Sequence, residues 1–229
     1  MTTVRPLRRA ALLCGLAVLA APAIAQDAYP SKPITIVVGY PPGGSTDLTA
    51  RTVATELGNK LGVPVVIENL GGAGGAIGAQ KVANAAPDGY TLLVGANNEI
   101  AINKLVTKKV KYDIKDFTAI GLIASQPLVL VASTGAGVKN MAEFTQKVSK
   151  NPGKFSYGSS GVGTALHLAG EAVKEQGKLF MTHIPYRGVA PLTSDLMGNN
   201  LEYGVFVLSS GLPHIKSGKV IALLSLIHI

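Results

Sequence analysis

Ile34-Thr35-Ile36-Val37-Val38 is a β-branched apolar run of strand length, and Tyr40-Pro41-Pro42-Gly43-Gly44 ends it. The prolines cannot donate to a ladder and the glycines tolerate tight backbone. Beyond this turn Ala50, Val53, Ala54, Leu57 and Leu61 recur at helical spacing, with Arg51, Thr55 and Glu56 on the opposite face. A second strand is predicted over 63–67, a helix over 76–85 after the run Gly71 to Gly75, and a third strand over 91–94. The alternation resumes downstream. Residues 120–124, 128–132, 155–158, 183–185 and 203–207 read as strands, and 141–150, 164–176, 192–197 and 212–217 as helices.

Strand–helix alternation of this kind predicts a parallel sheet covered on both faces. Two such units of about 90 residues each imply two α/β lobes, 28–124 and 125–218, changing over near Ser125-Gln126-Pro127. Val220 to Leu223 starts a further strand, so 219–229 reads as the beginning of a crossover back to the first lobe. Its last six residues, 224–229, lack cap, turn or polar tail and are expected to be an artefactual ending.

Composition changes this picture at the N-terminus. Arg5, Arg8 and Arg9 precede the short apolar run Ala10 to Ala21, and Ala23-Ile24-Ala25 supplies the small residues of a cleavage site. Residues 1–25 therefore read as a signal peptide, too short in its apolar part for a comfortable membrane span. Its removal would take away Cys14, the sole cysteine, so no disulfide is expected in the exported chain. The formal net charge of +8 would fall with the three arginines. The remaining lysines are scattered, Lys108-Lys109-Val110-Lys111 excepted, and no basic stripe with interleaved aromatics points to nucleic acid.

Candidate chemistry lies in the loops. Pro42-Gly43-Gly44-Ser45-Thr46-Asp47 joins a strand to a helix, where backbone N–H groups, hydroxyls and the positive end of the helix coincide and favour an anion. The alternative is a plain capped turn. Ser159-Ser160-Gly161-Val162-Gly163-Thr164 repeats the arrangement, and two such cradles could face one another across a cleft. His167, one turn into the following helix, is open to two roles, ligand contact or structural histidine. Gly71 to Gly78 fails the dinucleotide fingerprint because Ile77 stands where glycine is required; it reads as close helix–strand packing beside the cleft, where its backbone N–H groups could also be lent to a ligand. No Gly-x-Ser-x-Gly elbow occurs, and His167, His183, His214 and His228 never pair at metal-ligand spacing, so no enzyme, metal or cofactor is expected.

In this order the motifs resemble one family. Tyr29-Pro30-Ser31-Lys32-Pro33-Ile34, Tyr40 to Asp47, Ile67-Glu68-Asn69, Pro87-Asp88-Gly89-Tyr90 and His183-Ile184-Pro185-Tyr186-Arg187-Gly188 look like the tripartite tricarboxylate transporter receptors, also called Bug proteins. The resemblance runs from Tyr29 to about Leu223. It implies a type II periplasmic binding protein-like fold, two α/β lobes with a hinge and a cleft between them, the first lobe incomplete over this span. It implies a monomer that captures a small carboxylate (a di- or tricarboxylate, an acidic amino acid or a related acid) for a two-subunit inner-membrane permease driven by an ion gradient. The ligand-binding positions it carries over are Tyr40, Pro42, Gly43, Gly44, Ser45, Thr46 and Asp47, then Asn97 and Asn98. In the second lobe they are Ser159, Gly161, Gly163, Thr164 and His167, with Ala190 and Pro191. Gly39-Tyr40 stands where the family has Pro-Phe, and Val207 where it commonly has Asp. A receptor serving a sensor system, or an exported α/β enzyme, is the alternative.

Overall fold

The computed structural model describes residues 28–226. The expected signal peptide, 1–25, and the last three residues of the expected artefactual tail lie outside the described residues. Three parallel strands form the first sheet, in the order β2-β1-β3: β1 (Ile34–Val38), β2 (Val65–Asn69) and β3 (Thr91–Val94). The register sets Ile36 between Ile67 and Leu92, which places the β-branched run at the centre of the sheet. Side chains alternate across a strand. Ile36 and Val38 therefore share one face with Ala50 and Ala54 of α1 (Ser45–Leu61). On the other face Ala76 and Ala79 of α2 (Ala76–Ala83) pack with Tyr112 and Leu93.

The second sheet has five strands, β6-β5-β7-β4-β8: β4 (Leu128–Ser133), β5 (Ser156–Ser159), β6 (Thr182–Pro185), β7 (Tyr203–Val207) and β8 (Val220–Leu226). Strand β5 runs parallel to β6 and β7, but β4 is antiparallel to both β7 and β8. The expected parallel sheet is thus mixed here. Leu128, the first residue of β4, lies opposite Val207, the last of β7, so the chain enters this sheet at the edge where the parallel strands leave it. Around the sheet lie α4 (Met141–Ser149), α5 (Ala165–Gly177), α6 (Val189–Met197) and α7 (Leu208–Lys216). Their shared core centres on Tyr203, which meets Phe144 edge-on at 4.8 Å and Phe155 at 5.9 Å.

Two local expectations need correction. Residues 120–124 form no strand: the segment has no ladder partner among the described residues, and Ile120 and Leu122 are 82% and 87% exposed. Helix α7 starts at Leu208, one turn before the apolar spacing suggested. Residues 220–226 sit at the edge of the second sheet, where Leu224 and Leu226 pair with Leu130 and Leu128. A π-helical turn, Asn98–Ile102, running into the short α3 (Asn103–Val106), had no signature in the periodicity.

Candidate functional site

The loops that follow β1, β2, β5 and β6 all leave the C-terminal ends of parallel strands, where open α/β sheets place their ligands. They converge on a cavity of about 260 Å³. That is slightly below the ~300–1,000 Å³ usual for small-molecule pockets, which suits a compact guest. The first lobe contributes Tyr40, Gly72 to Gly75 and Thr107 to its walls. From the second come Ser160, Gly161, Val162, and the turn Pro185-Tyr186-Arg187. The lobes approach closely around it. A methyl group on Gly161 would lie 3.7 Å from the Gly74 Cα, and one on Gly188 only 3.0 Å from Pro41 Cδ.

Of the positions singled out in the sequence, Tyr40 and Gly161 line the cavity. Pro42, Gly43, Gly44, Ser45 and Thr46 stand outside its lining. Asp47 is turned into the fold, 1% exposed. Its carboxylate accepts from the Gly43 amide at 2.9 Å, from Arg51 Nε at 3.0 Å and from Asn69 Nδ2 at 2.9 Å. Burial alone would raise its pKa, but these donors outweigh burial and hold it below the ordinary aspartate value. The group shapes the loop after β1. Asp47→Ala is expected to cost about 1–3 kcal/mol at pH 7, since it strands the Gly43 and Asn69 donors. The loss should shrink as pH falls through the lowered pKa, which urea unfolding at pH 7 and pH 3 would show.

In the second loop Ser159, Gly163, Thr164 and His167 support the cavity wall from behind. Ser159 is fully buried, with its Oγ 2.7 Å from His183 Nε2 and accepting from the Gly161 amide at 3.2 Å. Thr164 Oγ1 donates to the Gly161 carbonyl at 2.8 Å and accepts from the His167 amide at 3.3 Å. The Gly163 amide donates to His167 Nδ1 at 3.0 Å, so that nitrogen is unprotonated. The His167 ring stacks on His183 at 3.9 Å, and burial followed by this neighbour pushes the His183 pKa down to about 4. Burial lowers the His167 pKa as well, so both rings are neutral at pH 7. Asn97, Ala190 and Pro191 are absent from the lining, and Asn98 reaches across beneath it.

Beneath the first-lobe wall lies a buried acid, Glu99, 1% exposed. Its Oε2 accepts from the Ala96 amide at 3.1 Å, while Oε1 has no hydrogen-bond partner among the described residues. Desolvation lifts its pKa to about 7. The same burial, with the Glu99 charge, holds the Tyr40 phenol well above its ordinary value.

The composition of the walls missed by sequence reasoning is informative. Gly72 to Gly75 read in the sequence as packing beside the cleft with N–H groups to lend, and they line the cavity; Tyr186-Arg187 figures in the sequence only as part of a motif. The signal that could have found both is positional, because each follows a parallel strand at the edge already marked by the other two loops. Thr107 carries no such signal, since it caps α3, which runs on from the π turn.

Two α/β lobes, each presenting strand-end loops to one shared cavity, define a periplasmic binding protein-like architecture. Sequence comparison makes this specific: residues 49–228 match the tripartite tricarboxylate transporter family receptor, and the chain belongs to that family. It is 39% identical over 217 residues to a UPF0065 protein of Bordetella pertussis, covering 95% of this chain and 67% of the relative. Among solved structures, an R. palustris protein with adipate superimposes with a TM-score of 0.84 at 32% identity, covering 86% of this chain and 66% of that one. MatC from Rhodopseudomonas palustris with bound malate superimposes with a TM-score of 0.81 at 30% identity, covering 86% and 67%. The chain spans 57% to 67% of the length of the first three curated relatives. Among the described residues no helix is long and apolar enough to cross a membrane, and no group of three or more His, Cys, Asp or Glu could hold a metal ion.

Proposed function

We propose that this chain is the ligand-capturing part of a periplasmic receptor for a small dicarboxylate or a related organic acid, delivered to a two-subunit permease. The observation that carries this reading is the make-up of the cavity wall. Glycine-rich backbone from both lobes surrounds it, with Arg187 as the one cation and no carboxylate in the lining among the described residues. Backbone amides hydrogen-bond a carboxylate without distinguishing the rest of the molecule, and a guanidinium adds charge and a bidentate fork. Glu99 fits the same reading. A buried acid near pKa 7 is readily kept protonated by an incoming anion, so it offers little opposition to a negative guest.

The adipate and malate held by the two R. palustris relatives supply the chemical class. The family's description as a tripartite transporter receptor supports a permease partner, and the basic, apolar and small-residue pattern of residues 1–25 supports export. The lobe boundary is placed at Ser125-Gln126-Pro127, and the segment from 219 onward is taken to precede a return to the first lobe in the longer relatives. Micromolar affinity requires about 8 kcal/mol net, within reach of several amide donors and one guanidinium after desolvation.

Titration calorimetry of the full-length gene product against malate, adipate, citrate, glutamate and a neutral sugar tests the assignment. Micromolar binding of at least one of the acids and none of the sugar is expected; heat from the sugar alone, or from none of the five, would refute it. Arg187→Ala should weaken the preferred acid about tenfold, the lower end for a charge-assisted hydrogen bond because Arg187 is solvent-exposed.

A further inference from the structure

Below the cavity a line of hydrogen bonds crosses from one lobe to the other. Its second-lobe end is the N–H of Ala165, the first residue of α5, which donates to Asn98 Oδ1 at 2.7 Å. Asn98 Nδ2 donates to the Tyr40 phenol oxygen, also at 2.7 Å. The Tyr40 hydroxyl in turn donates to the Gly74 carbonyl at 3.2 Å, and that carbonyl belongs to the first-lobe wall. Asn98 is 5% exposed and opens the π-helical turn, an irregularity often found at functional positions.

The order of donors along this line has a consequence. The first N–H groups of a helix have no partner within it. In α5 the Thr164 side chain serves the His167 amide, and the Ala165 amide finds its acceptor across the cleft. That bond can exist only while the lobes are together. An amide side chain held by its oxygen must aim its NH₂ elsewhere, here at Tyr40. With the phenol oxygen occupied as acceptor, its proton is directed to Gly74. Gly74 is held a second time by Asn103 Nδ2 at 2.9 Å, so the loop keeps its place when the line breaks, but loses one of its two restraints.

Resting on the receptor reading above, we propose that Asn98 is a closure latch: a positioning residue that couples docking of the second lobe to the shape of the first-lobe ligand loop, rather than a ligand contact. Closure then completes the Tyr40–Gly74 restraint, and a guest seated on the Gly72 to Gly75 wall stabilises the bond between Ala165 and Asn98 in return. Such coupling is reciprocal by necessity.

The test compares Asn98→Ala and Asn98→Asp in the full-length gene product, with malate and adipate as probes. Asp keeps an acceptor for the Ala165 amide but lacks the donor to Tyr40, and its unfolding curve shows whether the site still folds if the alanine variant does not. Stopped-flow binding should show association within about twofold of the parent and dissociation at least tenfold faster in the alanine variant. Tyr40→Phe added to Asn98→Ala should change dissociation by less than twofold further, since both act on one line. Spin labels at Lys60→Cys and Glu175→Cys, with Cys14 replaced by serine, read the interlobe distance directly. At saturating probe the alanine variant should retain an open population that the parent lacks, which loss of a mere ligand contact would not produce. Unchanged dissociation together with an unchanged distance distribution in both Asn98 variants overturns the latch. Should the parent bind neither probe, the receptor reading fails on its own, and the ligand-free distances still decide the latch, which requires fewer closed molecules in Asn98→Ala than in the parent.

Discussion

Glu99→Gln is expected to stabilise the protein at pH 8 by roughly 1–3 kcal/mol and to leave it nearly unchanged at about pH 4. The sign follows from the direction of the pKa shift. The folded carboxyl titrates at about 7, well above its ordinary value of 4.5, so the folded chain holds a proton that the unfolded chain has released across that interval. The stability associated with the protonated acid is present in acid and lost as pH rises through 7. Glutamine is close in shape to the protonated acid and cannot ionise. It therefore removes the alkaline penalty while leaving the acid side alone. Thermal unfolding at the two pH values measures this, with a gain of several degrees at pH 8. An equal change at both would show that the side chain's packing, not its charge, is what matters. Ligand affinity follows the same logic: an anion above an ionised Glu99 is disfavoured, so binding to the parent should weaken between pH 6 and pH 8 and the variant's should not.

Gly75→Ala is the second large effect, destabilising by about 2–4 kcal/mol and abolishing measurable binding. Gly75 has φ of +87°, in the left-handed region that costs an L-residue about 1–2 kcal/mol. A methyl group there would also fall 2.5 Å from Glu99 Oε1 and 2.6 Å from its Cγ and Cδ, an overlap no neighbouring space relieves because Glu99 is buried. Forcing extra volume into packed surroundings adds about 1–3 kcal/mol. Since Gly75 lines the cavity, any shift that relieves the overlap also moves the wall. Combining Gly75→Ala with Glu99→Ala separates the two contributions, restoring the steric part and leaving the backbone part, so urea unfolding should recover about half the loss. A single variant as stable as the parent would show that the wall is more plastic than its geometry implies.

The first sheet was legible from sequence because its signals are local. A β-branched run, a Pro-Gly stop and alanines at helical spacing specify β1 and α1 with little help from elsewhere. The two-sided cover of that sheet followed from the alternation. What sequence could not show was set by distant partners. The apolar residues at 120–124 look like a strand, yet a strand needs a neighbour, and none lies beside them among the described residues. The antiparallel course of β4 depends on where the chain arrives, which no apolar pattern encodes. At the site, the second glycine loop was found by its strand-to-helix position, and Gly161 does reach the cavity. The first loop offers free amides and hydroxyls at α1 in the sequence, while in the fold the Asp47 carboxylate accepts from the Gly43 amide and residues 42–47 stand outside the cavity lining. Glu99 escaped notice because a single glutamate between Asn98 and Ile100 carries no sign of burial; only the Gly39 and Gly75 backbone closing over it makes it special.

The entry of β4 at the ligand-bearing edge of its sheet also bears on mechanics. The Pro127 carbonyl accepts from the Leu208 amide at 2.9 Å, and Gln126 is hydrogen-bonded by Ser209, so the connecting segment is fastened to the start of α7. With the proposed lobe boundary at Ser125-Gln126-Pro127 as the pivot, the pivot would stand beside the mouth, at the opposite end of β7 from the aromatic cluster around Tyr203. A few degrees of swing would gape the opening while leaving the interior of either half undisturbed.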